Sequence, residues 1–170
     1  MYSPEEDSFF FAEFLQSYLK KQKNKDLEYL DMGTGSGILS ETAFKFLPKY
    51  NILAVDIDPQ SMAHVSKKFQ SIQSDLFSKI KDKKFDLITF NAPYLPEHKF
   101  DKQSDTTGGK NGDEISIKFL KQAFNHLNPC GKIFLLISSF TPLEKIKKFQ
   151  PKIVARKKLF FEELFIFEFS

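Results

Sequence analysis

Residues 27–37, LEYLDMGTGSG, combine an apolar run with glycines at alternate positions directly after it. The run predicts a buried strand, and the residues after the glycines predict a helix that extends to about Leu47. Glycine adopts backbone angles that other residues avoid, and it lets a ligand approach the backbone closely. A strand, a glycine loop and a helix in this order therefore predict a ligand site at the free N–H groups of the helix start.

The spacing of the glycines distinguishes this loop from the dinucleotide-binding fingerprint GxGxxG. That fingerprint needs a third glycine at position 38, where this chain has Ile38. The loop GTGSG therefore fits a dinucleotide fold poorly. For the loop taken alone, a tight strand–helix turn that binds nothing is the alternative interpretation.

Outward from the loop, strands and helices alternate along the chain. An amphipathic helix is predicted over 6–22, with Asp7 and Ser8 as candidates for its N-cap. Asp58 is the predicted N-cap of a later helix that runs from Pro59 to Phe69. The predicted strands are 27–32, 51–55, 71–74, 85–90, 133–137, 153–158 and 163–169.

This order predicts an α/β fold with one mostly parallel sheet of seven strands and helices on both faces. The last two strands have little chain between them, which predicts a C-terminal antiparallel hairpin. One more helix is predicted at about 113–127, followed by a turn at 128–131 in which Cys130 is a buried, inert thiol. We expect residues 1–170 to form a single domain.

Composition narrows the class of protein. Among 170 residues, 41% are hydrophobic and 28% charged, as in soluble globular proteins. The net charge of +3 is too small to indicate nucleic-acid binding. One cysteine excludes an internal disulfide and a cysteine-based zinc site, and we predict no metal site. No apolar run approaches the ~20 residues that span a bilayer, and no signal peptide is recognisable, so we expect the protein in the cytoplasm or the nucleus, with the cytoplasm preferred.

Polar side chains follow four predicted strands in succession, at the point where each strand ends. They are Asp31, Asp56, Asp75 and Asn91. Ligands of open α/β sheets bind at the carboxyl ends of the strands, so we expect these side chains to share one crevice. Asp56 is placed to accept hydrogen bonds from ribose hydroxyls, and Asp75 from an adenine amino group with Leu76 against the ring.

The cluster NAPY at 91–94 adds a second kind of chemistry to this edge. The carboxamide of Asn91 accepts hydrogen bonds, and the carbonyl of Ala92 is a second acceptor beside it. Pro93 holds the preceding residue in an extended conformation, and Tyr94 adds a flat apolar face with a polar tip. Together these groups can hold a planar NH2 group by both of its protons.

With these motifs the chain resembles the class I S-adenosylmethionine-dependent methyltransferases, and within that class the HemK family of glutamine methyltransferases. The glycine loop, Asp56, Asp75-Leu76 and the NAPY cluster match the family's motifs in order over roughly residues 31–94. Residues 2–8, YSPEEDS, are similar to the YxPxEDS/T start of the short archaeal and eukaryotic branch, which methylates class I release factors. Residues 108–114, GGKNGDE, are similar to that branch's GGxNGxE segment.

The resemblance implies a Rossmann-like fold and methyl transfer from S-adenosylmethionine to a glutamine amide nitrogen, in the Gly-Gly-Gln loop of a release factor. It implies that residues 91–94 hold the substrate amide, that residues 1–26 close over the cofactor and that 95–112 form a substrate loop. The cofactor-binding residues it implies are Tyr2, Pro4, Asp7, Ser8, Asp31, Gly33, Thr34, Gly35, Gly37, Asp56, Ile57, Asp75, Leu76 and Asn91.

Two features qualify this comparison with the family. The usual cluster is NPPY, and Ala92 keeps the backbone carbonyl but loses rigidity, up to ~1 kcal/mol of preorganisation. Members of the short branch act with a small zinc-binding activator that pairs its sheet edge with the methyltransferase. The resemblance therefore implies a heterodimer with such an activator subunit, besides a release factor as protein substrate.

Other functions remain open on the residues alone. Adenine also presents a planar NH2, so an adenine-N6 methyltransferase acting on RNA or DNA is one alternative, with small molecules or lysine side chains as minor ones. A non-catalytic scaffold that keeps the cofactor fold is another. Residues 145–158 hold seven Lys or Arg and no acid, which suits RNA or an acidic partner, or simply a solvated surface.

Overall fold

The computed structural model describes residues 4–94, 109 and 111–170, and seven strands and five helices alternate in this part of the chain. None of these helices is long and apolar enough to cross a membrane. The strands are β1 (Tyr29–Met32), β2 (Ile52–Asp56), β3 (Gln70–Gln73), β4 (Phe85–Asn91), β5 (Leu127–Ser138), β6 (Lys152–Lys158) and β7 (Glu163–Phe169). The helices are α1 (Glu6–Lys21), α2 (Ile38–Phe44), α3 (Pro59–Val65), α4 (Glu114–Ala123) and α5 (Glu144–Lys147), with 3-10 turns at Lys49–Asn51 and Phe124–His126.

All seven strands form one sheet in the order β3-β2-β1-β4-β5-β7-β6. In its parallel part, Tyr29 of β1 pairs with Ile52 of β2 on one side and with Leu87 of β4 on the other. β7 runs antiparallel to β5, and β6 runs antiparallel to β7. The predicted sheet, mostly parallel with a C-terminal antiparallel hairpin, is confirmed.

The sheet separates two hydrophobic cores because successive side chains of a strand point to opposite faces. Tyr29 belongs to the core that contains Phe11 and Leu15 of α1. Its neighbour Leu30 belongs to the other core, with Phe119 of α4. Helices therefore cover both faces, as predicted.

The position of the functional edge follows from the strand order. From β1 the chain adds β2 and β3 on one side of the sheet, and β4 and β5 on the other. This reversal leaves a crevice between β1 and β4 at their carboxyl ends, since α2 and α4, the next helices after these strands, pack on opposite faces of the sheet.

Two helices end before the residues predicted from the sequence pattern. α2 and α3 stop short of Leu47 and Phe69. The residues that follow form tighter turns, as where the N–H of Lys68 donates to the carbonyl of Val65 at 2.9 Å. Apolar spacing continues through these turns, so the pattern cannot distinguish them from α-helix.

The start of β5 differs from the prediction. β5 begins at Leu127 rather than at residue 133, and residues 128–131 bulge between the pairs Phe85–Leu127 and Leu87–Lys132. The segment predicted as a turn is therefore an irregularity within a strand. Cys130 is exposed and has a φ of +65°, so the expectation of a buried thiol is wrong.

The start of α1 also differs from the prediction. Glu5 occupies its N-cap position without a capping side-chain bond. Asp7 and Ser8 lie inside the first turn and are buried, so neither caps the helix. Their side chains face β4 instead.

Candidate active site

A cleft of about 590 Å³ opens at the carboxyl ends of β1, β2 and β4. Its volume is within the range of ~300–1,000 Å³ that is typical of ligand pockets. The first turn of α1, the glycine loop and the NAPY cluster meet there, with α4 on the far side. The predicted site residues that line it are Asp7, Ser8, Gly33, Thr34, Gly35, Asp56, Ile57, Asp75, Leu76, Asn91, Ala92, Pro93 and Tyr94.

Some predicted site residues are placed elsewhere. Tyr2 lies outside the described residues, as does most of the predicted substrate loop 95–112. Pro4 precedes α1 and is not part of the cleft lining, and neither are Asp31 and Gly37. Those last two residues support the glycine loop.

The glycine loop requires glycine at two positions for different reasons. Gly33 has a φ of +62°, and a Cβ there would lie 2.7 Å from the Phe90 ring of β4. Gly37 has a φ of +84° at the N-cap of α2, where its N–H donates to the carbonyl of Thr34 at 2.8 Å. The loop therefore turns sharply while it packs directly against β4.

Asp31 is a fully buried carboxylate that ties the loop to α2. Its Oδ2 accepts from the Thr34 hydroxyl at 2.7 Å, and from the backbone N–H and the hydroxyl of Ser40 at 3.0 and 2.7 Å. Its Oδ1 is buried and has no hydrogen-bond partner among the described residues. Burial raises the pKa of Asp31 to about 6, against the effect of these hydrogen bonds.

Asp56 and Asp58 divide two roles at the end of β2. Asp58 caps α3 by accepting from the N–H and the hydroxyl of Ser61 at 2.9 and 2.7 Å, which confirms its predicted role as N-cap. Asp56 accepts from the N–H of Gly35 at 2.8 Å and from that of Asp58 at 2.9 Å. Burial raises the pKa of the Asp56 carboxyl. Asp56 thus joins the glycine loop to β2 at the cleft.

Asp75 lies at the more open end of the cleft. Lys118 of α4 approaches it from across the cleft, with Nζ 2.6 Å from Asp75 Oδ2, and both side chains are about half exposed. Lys118 is a functional candidate that the sequence did not indicate. On an amphipathic helix it looks like any solvated lysine, and only the tertiary structure brings it to the cleft.

Asn91 is held in one orientation by the first turn of α1. Its Nδ2 donates to Asp7 Oδ2 at 3.2 Å and to the Ser8 hydroxyl at 3.3 Å. A carboxylate only accepts hydrogen bonds, so the amide nitrogen must face Asp7. The Asn91 Oδ1 is then the remaining polar atom, and it is buried without a hydrogen-bond partner among the described residues.

The rest of the NAPY cluster completes a rigid wall beside this oxygen. Ala92 is buried, and Tyr94 is half-buried against the core beneath α1. The Thr141 hydroxyl donates to the Tyr94 carbonyl at 3.3 Å, which connects the cluster to the segment after β5. The wall of the cleft therefore contains a buried acceptor that no donor in the described part of the chain satisfies.

The chain matches the methyltransferase small domain family over residues 10–161. It is 36% identical to "Putative protein N5-glutamine methyltransferase MJ0928" of Methanocaldococcus jannaschii, over 98% of this chain and 89% of that protein. It is 33% identical to a release factor glutamine methyltransferase of Koribacter versatilis over 61% of this chain, and the match covers only 44% of that longer protein.

A solved structure of similar architecture is that of the E. cuniculi Mtq2–Trm112 complex, responsible for methylation of the eRF1 translation termination factor. The match has a TM-score of 0.77 and covers 99% of this chain and 97% of the matched chain, at 20% identity. At this identity, the likeness shows the fold alone.

The strand order, the glycine loop and the cleft at the sheet reversal define a class I S-adenosylmethionine-dependent methyltransferase. Within this class, the match over residues 10–161 and the relative at 36% identity show that the chain belongs to the methyltransferase small domain family, in its HemK branch.

Proposed function

We propose that this protein transfers a methyl group from S-adenosylmethionine to the side-chain amide nitrogen of a glutamine, in the Gly-Gly-Gln loop of a class I translation release factor. The observation that carries the proposal is the buried Asn91 Oδ1, which accepts no hydrogen bond from the residues that the structure describes, while Nδ2 donates to Asp7 and Ser8. The names of the relatives support the choice of substrate. We place the reaction in the cytoplasm, where release factors act.

The residues of the cleft fit the proposed cofactor. Asp56 has a carboxylate at the end of β2 for ribose hydroxyls, and Leu76 has an apolar side chain for the face of an adenine ring. Asp75 would accept from the adenine amino group, and Lys118 would share that carboxylate. When bound, the cofactor supplies an electrophilic methyl group on a sulfonium centre.

The protein must then orient a poor nucleophile, because the lone pair of an amide nitrogen is delocalised into its carbonyl. Asn91 Oδ1 would accept one N–H of the substrate amide, and the carbonyl of Ala92 would accept the other. Both bonds draw electron density towards the nitrogen, and Tyr94 would pack beside the amide plane. Positioning of this kind lowers barriers by ~7–11 kcal/mol in the best cases.

We further propose that a small zinc-binding activator pairs with the β3 edge of the sheet, which forms a heterodimer. Of the two edge strands, β6 carries four Lys or Arg, which discourage strand pairing, whereas β3 has the sequence QSIQ. Beside β3, the half-exposed Phe44 contacts Phe69 with ring centroids 5.9 Å apart. The assembly of the structural neighbour supports this partner class. A stable, fully active monomer would contradict the proposal.

The function is tested with labelled cofactor and four substrates: a release factor, the same factor with its loop glutamine changed, and RNA and DNA that contain adenine. We expect label on the intact factor alone. Label on a nucleic acid would instead favour an adenine-N6 methyltransferase. Cofactor binding without transfer to any substrate, with the activator present, would favour a scaffold.

A further inference from the structure

The tip of the β6–β7 hairpin carries two adjacent phenylalanines that are almost fully exposed. Phe160 is 98% exposed and Phe161 is 91% exposed. The N–H of Leu159 donates to the carbonyl of Glu162 at 2.8 Å, so the two phenylalanines occupy the centre of the hairpin turn. Neither has a positive φ. A turn with negative φ at its central residues accepts most residue types, so the turn itself gives no reason for two aromatic rings.

The exposed apolar area at this tip is large for one turn. A phenylalanine buries ~150–250 Å² when it is covered, so the pair offers ~300–500 Å². This area is within the range of the largest apolar patch on a typical monomer, and such a patch is often functional. Phe140, in the segment after β5, is also 50% exposed.

These phenylalanines lie at the same edge of the sheet as the cleft. β7 begins beside the carboxyl end of β5, and β5 pairs with β4 up to the Asn91 end. The N–H of Ser139 donates to the carbonyl of Glu163 at 2.8 Å, which joins the hairpin to the segment that holds Phe140. The next residue, Thr141, bonds the Tyr94 carbonyl, so this segment connects the hairpin to the NAPY cluster.

The strand that leads into the tip is positively charged, whereas Glu162 and Glu163 follow the turn. β6, which leads into the turn, carries four Lys or Arg and no acid. Lys157 faces Glu6 at 3.9 Å, whereas Arg156 and Lys158 make no ion pair among the described residues. The carboxylate of Glu162 accepts from the Ser138 hydroxyl. A partner that covers the tip is therefore expected to place acidic residues beside its apolar contact on the β6 side.

We propose that Phe160, Phe161 and Phe140 form a docking surface for the folded protein substrate, which would present an apolar pocket edged by Asp or Glu. The inference rests on the proposed function. The NAPY cluster would contact only the side-chain amide of the substrate, so the substrate protein has to be recognised by residues outside the cleft. Buried aromatic side chains are the usual energetic centres of protein interfaces.

The geometry of the two rings favours a protein over RNA as the occupant. Proteins that bind single-stranded RNA stack successive bases on aromatic rings along a charged groove. Here the ring centroids of Phe160 and Phe161 are 6.5 Å apart at an interplanar angle of 42°, at the tip of a turn. Such a projecting pair fits into a pocket better than it supports a row of bases.

The test compares the wild type with the double variant Phe160→Ser/Phe161→Ser, each with its activator, on two substrates. One is a folded release factor and the other is a short peptide that spans its Gly-Gly-Gln loop. The matched control is Tyr50→Ser, which removes a 65% exposed ring. Tyr50 lies in the turn before β2, at the amino end of that strand and so away from the cleft. Binding is measured separately by calorimetry, with a factor whose loop glutamine is changed to Ala.

For the folded factor, we expect the double variant to raise KM and Kd at least tenfold, with kcat within twofold of wild type. KM for the peptide should not change, and Tyr50→Ser should change none of these values. Lys158→Glu should raise KM for the folded factor threefold to tenfold, with the larger effect at low salt.

Four results would overturn the docking surface. The first two concern binding: the double variant has an unchanged Kd for the factor, or the wild type does not bind the factor at all. The third is an equal increase of KM on the peptide. The fourth is that the wild type forms a dimer whereas the double variant is a monomer. The last would assign the tip to a second copy of the chain. Failure of the proposed function is a different result, in which the wild type methylates neither the factor nor the peptide.

Discussion

The two ends of the cleft are built differently. At the Asn91 end, the amide nitrogen donates to Asp7 and Ser8, two buried residues of α1, and the amide oxygen is buried as well. At the Asp75 end, a half-exposed carboxylate meets a half-exposed lysine. Buried polar groups cannot exchange their partners for water, so their orientation is determined, whereas an exposed ion pair contributes only ~0–1 kcal/mol. The end proposed for the substrate amide is thus preorganised, and the other end can adjust.

The largest effect is expected from Asn91→Ala, which removes the proposed acceptor. The rate of methyl transfer should fall by about 10²–10³, as when one electrostatic contact to the reacting group is lost. The cofactor Kd should stay within threefold of wild type. Single-turnover kinetics and calorimetry measure the two quantities. Unchanged transfer would contradict the proposed role of Asn91.

A second prediction concerns Asp31, whose carboxyl is fully buried beneath the glycine loop. Its pKa in the folded protein, about 6, exceeds the ordinary value of 3.8, so the folded state binds its proton more tightly than the unfolded state does. Its contribution to stability should therefore fall as pH rises from about 4 to about 6. Over this range, the wild type should lose about 2 kcal/mol relative to Asp31→Asn.

Denaturant unfolding of both proteins at pH 4, 5, 6 and 7 measures this difference. Asp56 and the other titrating groups are common to the two proteins, so their contributions to the pH dependence of stability largely cancel in the difference. Parallel pH profiles would show that Asp31 has the same pKa in the folded and unfolded states.

A third prediction concerns Asp7, which orients the Asn91 amide. Asp7→Ala should lower kcat by about 10- to 100-fold, because a hydrogen bond to a charged group is worth about 1.5–3 kcal/mol. The matched control is Glu6→Ala, which removes the neighbouring carboxylate; that side chain is 68% exposed. An equal loss in the two variants would indicate a general effect of charge at the start of α1.

The smallest effect is expected at the exposed end. Lys118→Ala should change the free energy of unfolding by less than about 1 kcal/mol, because water screens the ion pair with Asp75. The cofactor Kd should change by less than threefold. A larger decrease in the free energy of unfolding, or a larger increase in the cofactor Kd, would show that the open end is as constrained as the Asn91 end.

Much of the fold was predictable because its determinants are local in the chain. Apolar runs, glycine positions and the Asp58-Pro59 pair indicate where strands, turns and helices begin. The errors occur where tertiary pairing decides the outcome. Leu127 joins a strand because Phe85 pairs with it, although its own segment continues a helical pattern.

The candidate site was predictable as a set of residues but not as an arrangement. Thirteen of the proposed residues line one cleft, because parallel strands bring their carboxyl ends to one edge. Their individual contacts were not predictable. Asp31 supports the loop from below, and Asp75 meets Lys118, a residue 43 positions away.

The order of strands and helices, the glycine loop and the chemistry of the strand ends can be recognised in the sequence alone, because each depends on residue type and short spacing. The direction of the Asn91 amide and the position of the Phe160–Phe161 tip at the cleft edge of the sheet follow only from the folded chain. Both depend on contacts between segments far apart in the chain. Asp7 and Asn91 are 84 residues apart, and only packing of α1 against β4 brings their side chains together.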